Sequence, residues 1–297
     1  MSLLQPSAPP RRRGRHGRRA RVLHGTARDA RVPFALHRSV SVIVPAYNTA
    51  PVLPEVLSAL VHRTGGAVAE VIVIDNASTD GTPDAVRELM AADPLVGVTV
   101  RLLENPENLG YGGSIKRGFA ELVPSAPFVA VIHSDQQCEA AATLIDMAAA
   151  FGLDPEPDVV LASRFRDGSI TDEYNFARRW ANHFFNAFTR TISGLRMSDA
   201  GTGIMLARAG AIDRMPFMQL TSGYQFHPQL NLLIYGDPDL VVAEVPLCWR
   251  DAQVGVRFSL AGYALTLTRM LLTFAWMRRV RRRPIGEAVV ATSRPAA

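Results

Sequence analysis

Asp135 and Gln137 stand two positions apart in FVAVIHSDQQ (residues 128–137), directly after an apolar run. A carboxylate and an amide oxygen are hard donors of the kind a cation such as Mg2+ prefers. His133 precedes them, and an imidazole suits Mn2+ better than Mg2+ or contacts a ligand directly. Taken alone, Asp135 could instead cap a helix beginning near 139. Three other stretches also end an apolar run in ligand-capable residues: SVSVIVPAYN (39–48), EVIVIDNASTDGT (70–82) and VTVRLLENPENLGYGG (98–113). A β-branched run that stops in a polar, turn-rich loop reads as a buried strand delivering ligands to a sheet edge. In open α/β sheets that edge, at the carboxyl ends of the strands, is where ligands bind.

The elements that must position these loops alternate. Helical patterns cover 52–64, 82–93, 112–123 and 139–152 between the strands, which implies a mainly parallel sheet with helices on both faces. From about 173 the pattern changes to a long helical stretch, a loop, another helix and a final strand at 240–247, without internal repeats. With 297 residues, 48% of them hydrophobic, the chain can bury one sizeable core, so one domain with tails is expected. Cys138 and Cys248 have no CxxC spacing, which argues against a disulfide framework or a zinc site and fits a reducing compartment.

The net charge of +5 is concentrated at the ends, with seven arginines in 11–21 and five in 278–283. Such runs point to a polyanionic surface, membrane phospholipid or nucleic acid, unless an arginine-rich composition alone explains them. Aromatic residues do not interleave 11–21, so nucleic acid is not expected as a partner. Residues 1–38 and 286–297 are expected to lack a fixed fold, and no apolar core follows the first arginines to make a secretory signal. The stretch 258–277 is 20 residues long and places Gly262, Thr266, Arg269 and Thr273 on one helical face. Arg269 opposes a spanning helix. Trp276 and the arginines that follow suit a helix lying on an anionic membrane surface, the alternative being a helix packed on the domain's own core. On the helix near 176–188, Trp180, Phe184, Phe185 and Phe188 are expected in the core, and His183 as an ordinary helix residue.

The four motif stretches, in this order from Val40 to about Arg257, resemble the family 2 glycosyltransferases. These have a GT-A type nucleotide-sugar domain and include polyprenyl-phosphate mannosyl- and glucosyltransferases. The resemblance implies an α/β fold over 39–257, with a Rossmann-like, mainly parallel sheet flanked by helices, followed by an amphipathic basic helix over 258–285. It implies transfer of a hexose with inversion from a UDP- or GDP-sugar, with Mg2+ or Mn2+. The implied donor residues are Pro45, Ala46, Tyr47, Asn48, Asp75 and Asn76 around the base. Asn108, Gly110, Lys116, His133, Ser134 and Arg164 complete the donor set. Asp135 would be catalytic and, with Gln137, hold the metal. In SDAGTGI, Asp199 matches the family's aspartate on the acceptor side, with Thr202 and Gly203. It would be the base for a hydroxyl acceptor, or a positioning group if the acceptor is an already anionic polyprenyl phosphate. Arg250 and Arg257 would meet that phosphate.

The chain departs from the family pattern at His133, where relatives carry an acid, and at Thr49-Ala50-Pro51, where many carry Glu. It also has Ala162 for Gly, and Gly255-Val256-Arg257 for Gly-x-Ser-Lys. Lys116 is its one lysine among many arginines, a hint of a site needing a compact ammonium. The expected setting is the cytoplasmic face of the cell membrane. The competing expectations are a soluble metabolite or glycan hydroxyl as acceptor, or a binding protein without catalysis.

Overall fold

Val40–Ala46 (β2) is buried at all seven positions, as a strand covered on both faces must be. In the computed structural model, which describes residues 20–24, 37, 39–92, 97–122, 127–171, 176–250 and 260–293, β2 lies inside one mixed sheet. The other strands are β1 (Arg21–His24), β3 (Val68–Asp75), β4 (Thr99–Glu104), β5 (Phe128–Val131), β6 (Val159–Ser163), β7 (Met205–Arg208) and β8 (Val241–Pro246). Their order is β1-β8-β6-β7-β5-β2-β3-β4. All neighbours pair in parallel except β7, which is antiparallel to both β5 and β6.

Alternation along β2 divides the core in two. Val42 and Val44 face one layer with Leu53, Leu57 and Leu60 of α1 (Leu53–His62) and Leu144 and Met147 of α4 (Ala140–Ala149). Ile43 faces the other, with Ile115 and Phe119 of α3 (Tyr111–Ala120) and Leu230 and Ile234 of α7 (Phe226–Gly236). The helices α2 (Thr82–Ala92), α5 (Phe176–Ser193) and α6 (Ala209–Asp213) complete the body, and α8 (Leu260–Arg279) and α9 (Ile285–Ala291) close the second layer.

Four expectations change. Residues 21–24, expected unfolded, form β1 against β8, with Val22 and Leu23 packing on opposite core layers. A four-residue alternation among arginines is too short to read without the sheet edge that pairs it. Within the tail expected to be unfolded, α9 buries Ala288 and Val289. The α8 helix packs on the domain itself through Leu267, Met270, Leu271 and Phe274, while Thr266 and Arg269 stay exposed as expected and Leu265, Leu272 and Trp276 are exposed apolar residues. The aromatics of α5 are not all core: Trp180 and Phe184 are each 65% exposed, whereas Asn186 and Thr189 of the same helix are buried. Among the described residues no helix is long and apolar enough to cross a membrane.

Candidate functional site

The ends of β2, β3 and β5 meet at one edge, and the polar loops there bind each other first. Asn48, at φ 52°, donates its N–H to Ser78 Oγ (2.9 Å) and accepts from the Thr79 N–H at Oδ1 (2.8 Å). Ala50 N–H donates to Asp80 Oδ2 (3.0 Å), and Thr49 N–H to Thr82 Oγ1 (2.9 Å). The Ser-Thr-Asp part of the second motif therefore latches the first loop. Asn76 does the same for the third: Oδ1 accepts from Asn105 Nδ2 and Leu109 N–H, both at 2.9 Å, and Nδ2 donates to Asn108 Oδ1 at 2.8 Å. Asp75 is 2% exposed. Its Oδ2 accepts from Ser78 N–H (3.1 Å), and its Oδ1 has no partner among the described residues.

A cavity of about 630 Å³ opens above these loops. Pro45, Ala46, Tyr47, Asn76, Asn108, Gly110, His133, Ser134, Asp135, Gln137, Arg164 and Gly203 line it. Asn48, Asp75, Lys116, Asp199, Thr202 and Arg250 are not part of its lining, and Arg257 lies outside the described residues.

Asp135 Oδ1 accepts one long hydrogen bond, from Gln137 N–H at 3.3 Å. Burial pushes its carboxyl up from the usual range, with His133 opposing. A carboxylate with so little compensation fits a divalent cation, and Gln137, which lines the same cavity, offers an amide oxygen of the same hard type. Among the described residues no three His, Cys, Asp or Glu side chains converge on a metal position, so a cation there would take most of its ligands from a bound phosphate and water. His133 Nε2 is 2.9 Å from Tyr111 Oη, and burial pushes its imidazole down, with Asp135 opposing. Glu55, the acid that follows the first loop late, accepts from Gln136 Nε2 at 2.7 Å and so reaches the 133–137 loop by another route.

Asp199 is 1% exposed and fully engaged. Its Oδ2 accepts from Arg164 Nε (2.7 Å) and Arg164 N–H (3.2 Å), and its Oδ1 from Arg164 Nη2 (2.8 Å) and Gly201 N–H (3.2 Å). This bidentate pair has a rigid planar geometry, and the guanidinium also lies 5.2 Å from the Trp249 ring. Asn186 Oδ1 accepts from Ala200 N–H at 2.9 Å, and Asn231 Nδ2 donates to the Ala200 and Thr202 carbonyls at 3.1 and 3.0 Å. Thr202 is itself turned inward, donating its hydroxyl to the Ala162 carbonyl.

Lys116 faces away from the cavity, donating to the Leu220 carbonyl and to Ser222 Oγ (3.3 Å); burial pushes its ammonium down. Its neighbours explain this. A Cβ on Gly112 would lie 2.5 Å from Phe226 Cβ, and one on Gly110 2.5 Å from the Ser222 carbonyl. The glycines thus let α3 seat against the 220–226 loop, and Lys116 fastens that seat.

Motif reading missed Tyr111, Tyr224, His227, Trp249 and Tyr263, all of which line the cavity. Tyr111 stacks on Tyr224 (5.8 Å between centroids) and Tyr224 meets Tyr263 of α8 edge-on (6.4 Å). The buried, aromatic-flanked His227 in FHPQ was the available signal for one of them. A Cβ on Gly203 would come within 2.6 Å of Tyr111 Oη, 2.9 Å of His133 Nε2 and 3.0 Å of His227 Nδ1. Gly203→Ala is therefore expected to cost about 1–3 kcal/mol through overpacking, read as a lowered urea midpoint.

Burial holds His227 neutral, with its pKa at about 3. The unfolded chain takes up a proton near pH 6.5 that the native state refuses until far lower, so His227 subtracts stability as the pH falls below about 6.5. The slope is at most about 1.4 kcal/mol per pH unit. Urea melts at pH 7 and pH 5 are expected to differ less in His227→Leu than in the wild type.

A mostly parallel sheet flanked by helices, with the polar loops at its strand ends gathered around one cavity, is the GT-A fold. The chain belongs to glycosyl transferase family 2, whose model matches residues 41–216, and it is a glycosyltransferase. It is 24% identical over 224 residues to the polyprenol monophosphomannose synthase of Mycolicibacterium smegmatis, covering 72% of this chain and 78% of that one. To the undecaprenyl-phosphate mannosyltransferase of Micrococcus luteus it is 26% identical, covering 73% and 85%. The fold superposes on glucosyl-3-phosphoglycerate synthase from Mycobacterium tuberculosis with a TM-score of 0.61 at 18% identity, over 88% of this chain and 87% of that one.

Proposed function

We propose that this enzyme transfers a hexose, with inversion, from a UDP- or GDP-sugar to a polyprenyl phosphate at the cytoplasmic face of the cell membrane. The observation that carries this reading is the continuity of one cavity from the polar Asp135 loop to an apolar wall. Phe184, Phe185 and Phe188 of α5 and Tyr263, Ala264 and Leu267 of α8 form that wall. Trp180 of α5 and Leu265, Leu272 and Trp276 of α8 are exposed apolar residues, and the arginines of 278–283 follow Trp276 in the chain, a combination that suits anionic lipid. The relatives named as mannosyltransferases of polyprenyl and undecaprenyl phosphates support the same acceptor class.

In this reading the free Asp75 oxygen accepts a base N–H, and the Asn76–Asn105–Asn108 cluster fixes the loop beneath the nucleotide. Asp135 and Gln137 hold a divalent cation; when bound, it carries negative charge developing on the leaving nucleoside diphosphate. The structural neighbours crystallised with Mn2+ and UDP are consistent with such a donor and ion. A phosphate acceptor is already anionic and needs no base, which agrees with an Asp199 carboxylate spent on Arg164. Asp199 then acts by holding Arg164 flat against Trp249 at the cavity wall.

A soluble phosphorylated acceptor is the second reading. The inward face of α8 is packed on the core, and neighbours of the same fold were crystallised with phosphoglyceric acid. Radiolabelled UDP- and GDP-hexoses, incubated with polyprenyl phosphate in detergent with Mg2+, Mn2+ or EDTA, separate the two. Metal-dependent label in the lipid phase is expected. Donor turnover without lipid product would move the acceptor to a soluble molecule.

A further inference from the structure

His227 and Trp249 are buried in the cavity wall, 1% and 8% exposed. Both ring nitrogens of His227 and the indole Nε1 of Trp249 lack hydrogen-bond partners among the described residues. Groups of this kind are uncommon in native proteins because an unpartnered buried polar atom destabilises the empty fold. They persist where something else supplies the partner. The two side chains flank His133: its ring meets Trp249 edge-on at 5.8 Å. His133 Nε2 and His227 Nδ1 both stand within 3.0 Å of where a Cβ on Gly203 would lie.

We propose that His227 and Trp249 receive hydroxyl groups of the donor's hexose and select an uncharged sugar. The inference rests on the nucleotide-sugar reading above and deepens it. His227 and Trp249 line the same cavity as Asp135, Gln137 and His133, so a sugar on a diphosphate held at Asp135 and Gln137 enters a space that both residues border. A neutral imidazole offers one donor and one acceptor, the complement of a hydroxyl, while an indole N–H only donates. The nearby cation, Arg164, is paired with Asp199. Burial also keeps His227 uncharged, so neither is set to greet a carboxylate on the sugar.

Isothermal titration of the full chain with UDP, GDP, UDP-glucose and GDP-mannose, in Mg2+, tests this on the wild type, His227→Leu, His227→Gln and Trp249→Phe. Trp249→Phe deletes the N–H but keeps the ring against Arg164 and His133. Each of His227→Leu and Trp249→Phe is expected to weaken the nucleotide-sugar about tenfold and the matching nucleoside diphosphate less than about twofold. His227→Gln, neutral and still donor and acceptor, is expected to keep most of the affinity. The thermal midpoint of His227→Leu is expected to be unchanged or higher, which a merely structural histidine would not give. Parallel weakening of both probes, no weakening of either, or a wild type that gains nothing from the hexose would overturn the assignment. A wild type that binds none of the four would instead overturn the nucleotide-sugar reading itself, and this inference with it.

Discussion

Asp135→Ala is expected to lose at least about a thousandfold in transfer while folding as well as the wild type. The size follows from the several kcal/mol by which a bound metal stabilises charge on a leaving diphosphate, at about 1.4 kcal/mol per factor of ten. The intact fold follows from the local geometry. Asp135 accepts one hydrogen bond of 3.3 Å, and its charged form is disfavoured by burial. Removing it deletes a poorly compensated, half-buried acid, so the thermal midpoint is expected to hold or rise. Metal-dependent turnover and a melting curve, measured on one preparation, check both halves. Retained turnover would move the metal away from this loop, while lost turnover with a lowered midpoint would make Asp135 a structural residue.

Asp199 carries the second large effect, and it is opposite in kind. Asp199→Ala leaves the Arg164 guanidinium, with its side chain 11% exposed, facing a vacated buried position. Breaking a buried pair from one side costs about 3–5 kcal/mol. Replacing both partners with Arg164→Met and Asp199→Leu is expected to restore much of that stability, since no buried charge is left alone. Activity distinguishes the roles. A base would make Asp199→Asn far more damaging to turnover than Arg164→Ala. A positioning carboxylate makes the two losses similar and the double variant no worse than either alone.

The sheet was legible because its strands are continuous β-branched runs that stop in polar residues, a pattern that burial on both faces imposes. The helices expected at 52–64 and 82–93 are α1 and α2, over 53–62 and 82–92. The loop motifs were legible as a set because one sheet edge gathers them, and twelve of the expected site residues line one cavity. What stayed hidden depends on contacts distant in sequence. Lys116 carries no mark of its 220–222 partner, which lies a hundred residues on. Trp180 and Phe184 look like core because aromatic residues usually are, and only the neighbouring elements show that Asn186 is the side drawn inward to hold Ala200. His227 and Trp249 belong to no motif, Tyr111 sits unremarked inside the third stretch, and the packing of Gly203 is what brings Tyr111 and His227 to His133.

Strand β1 has one neighbour in the sheet, β8, with Arg21 opposite Val241. The piece made early is therefore the piece laid late: no partner for it exists until nearly the whole domain has been synthesised. Pairings so far apart in sequence are slow to form because a long loop must close first. Residues 21–24 thus complete the edge of an assembled sheet rather than start it.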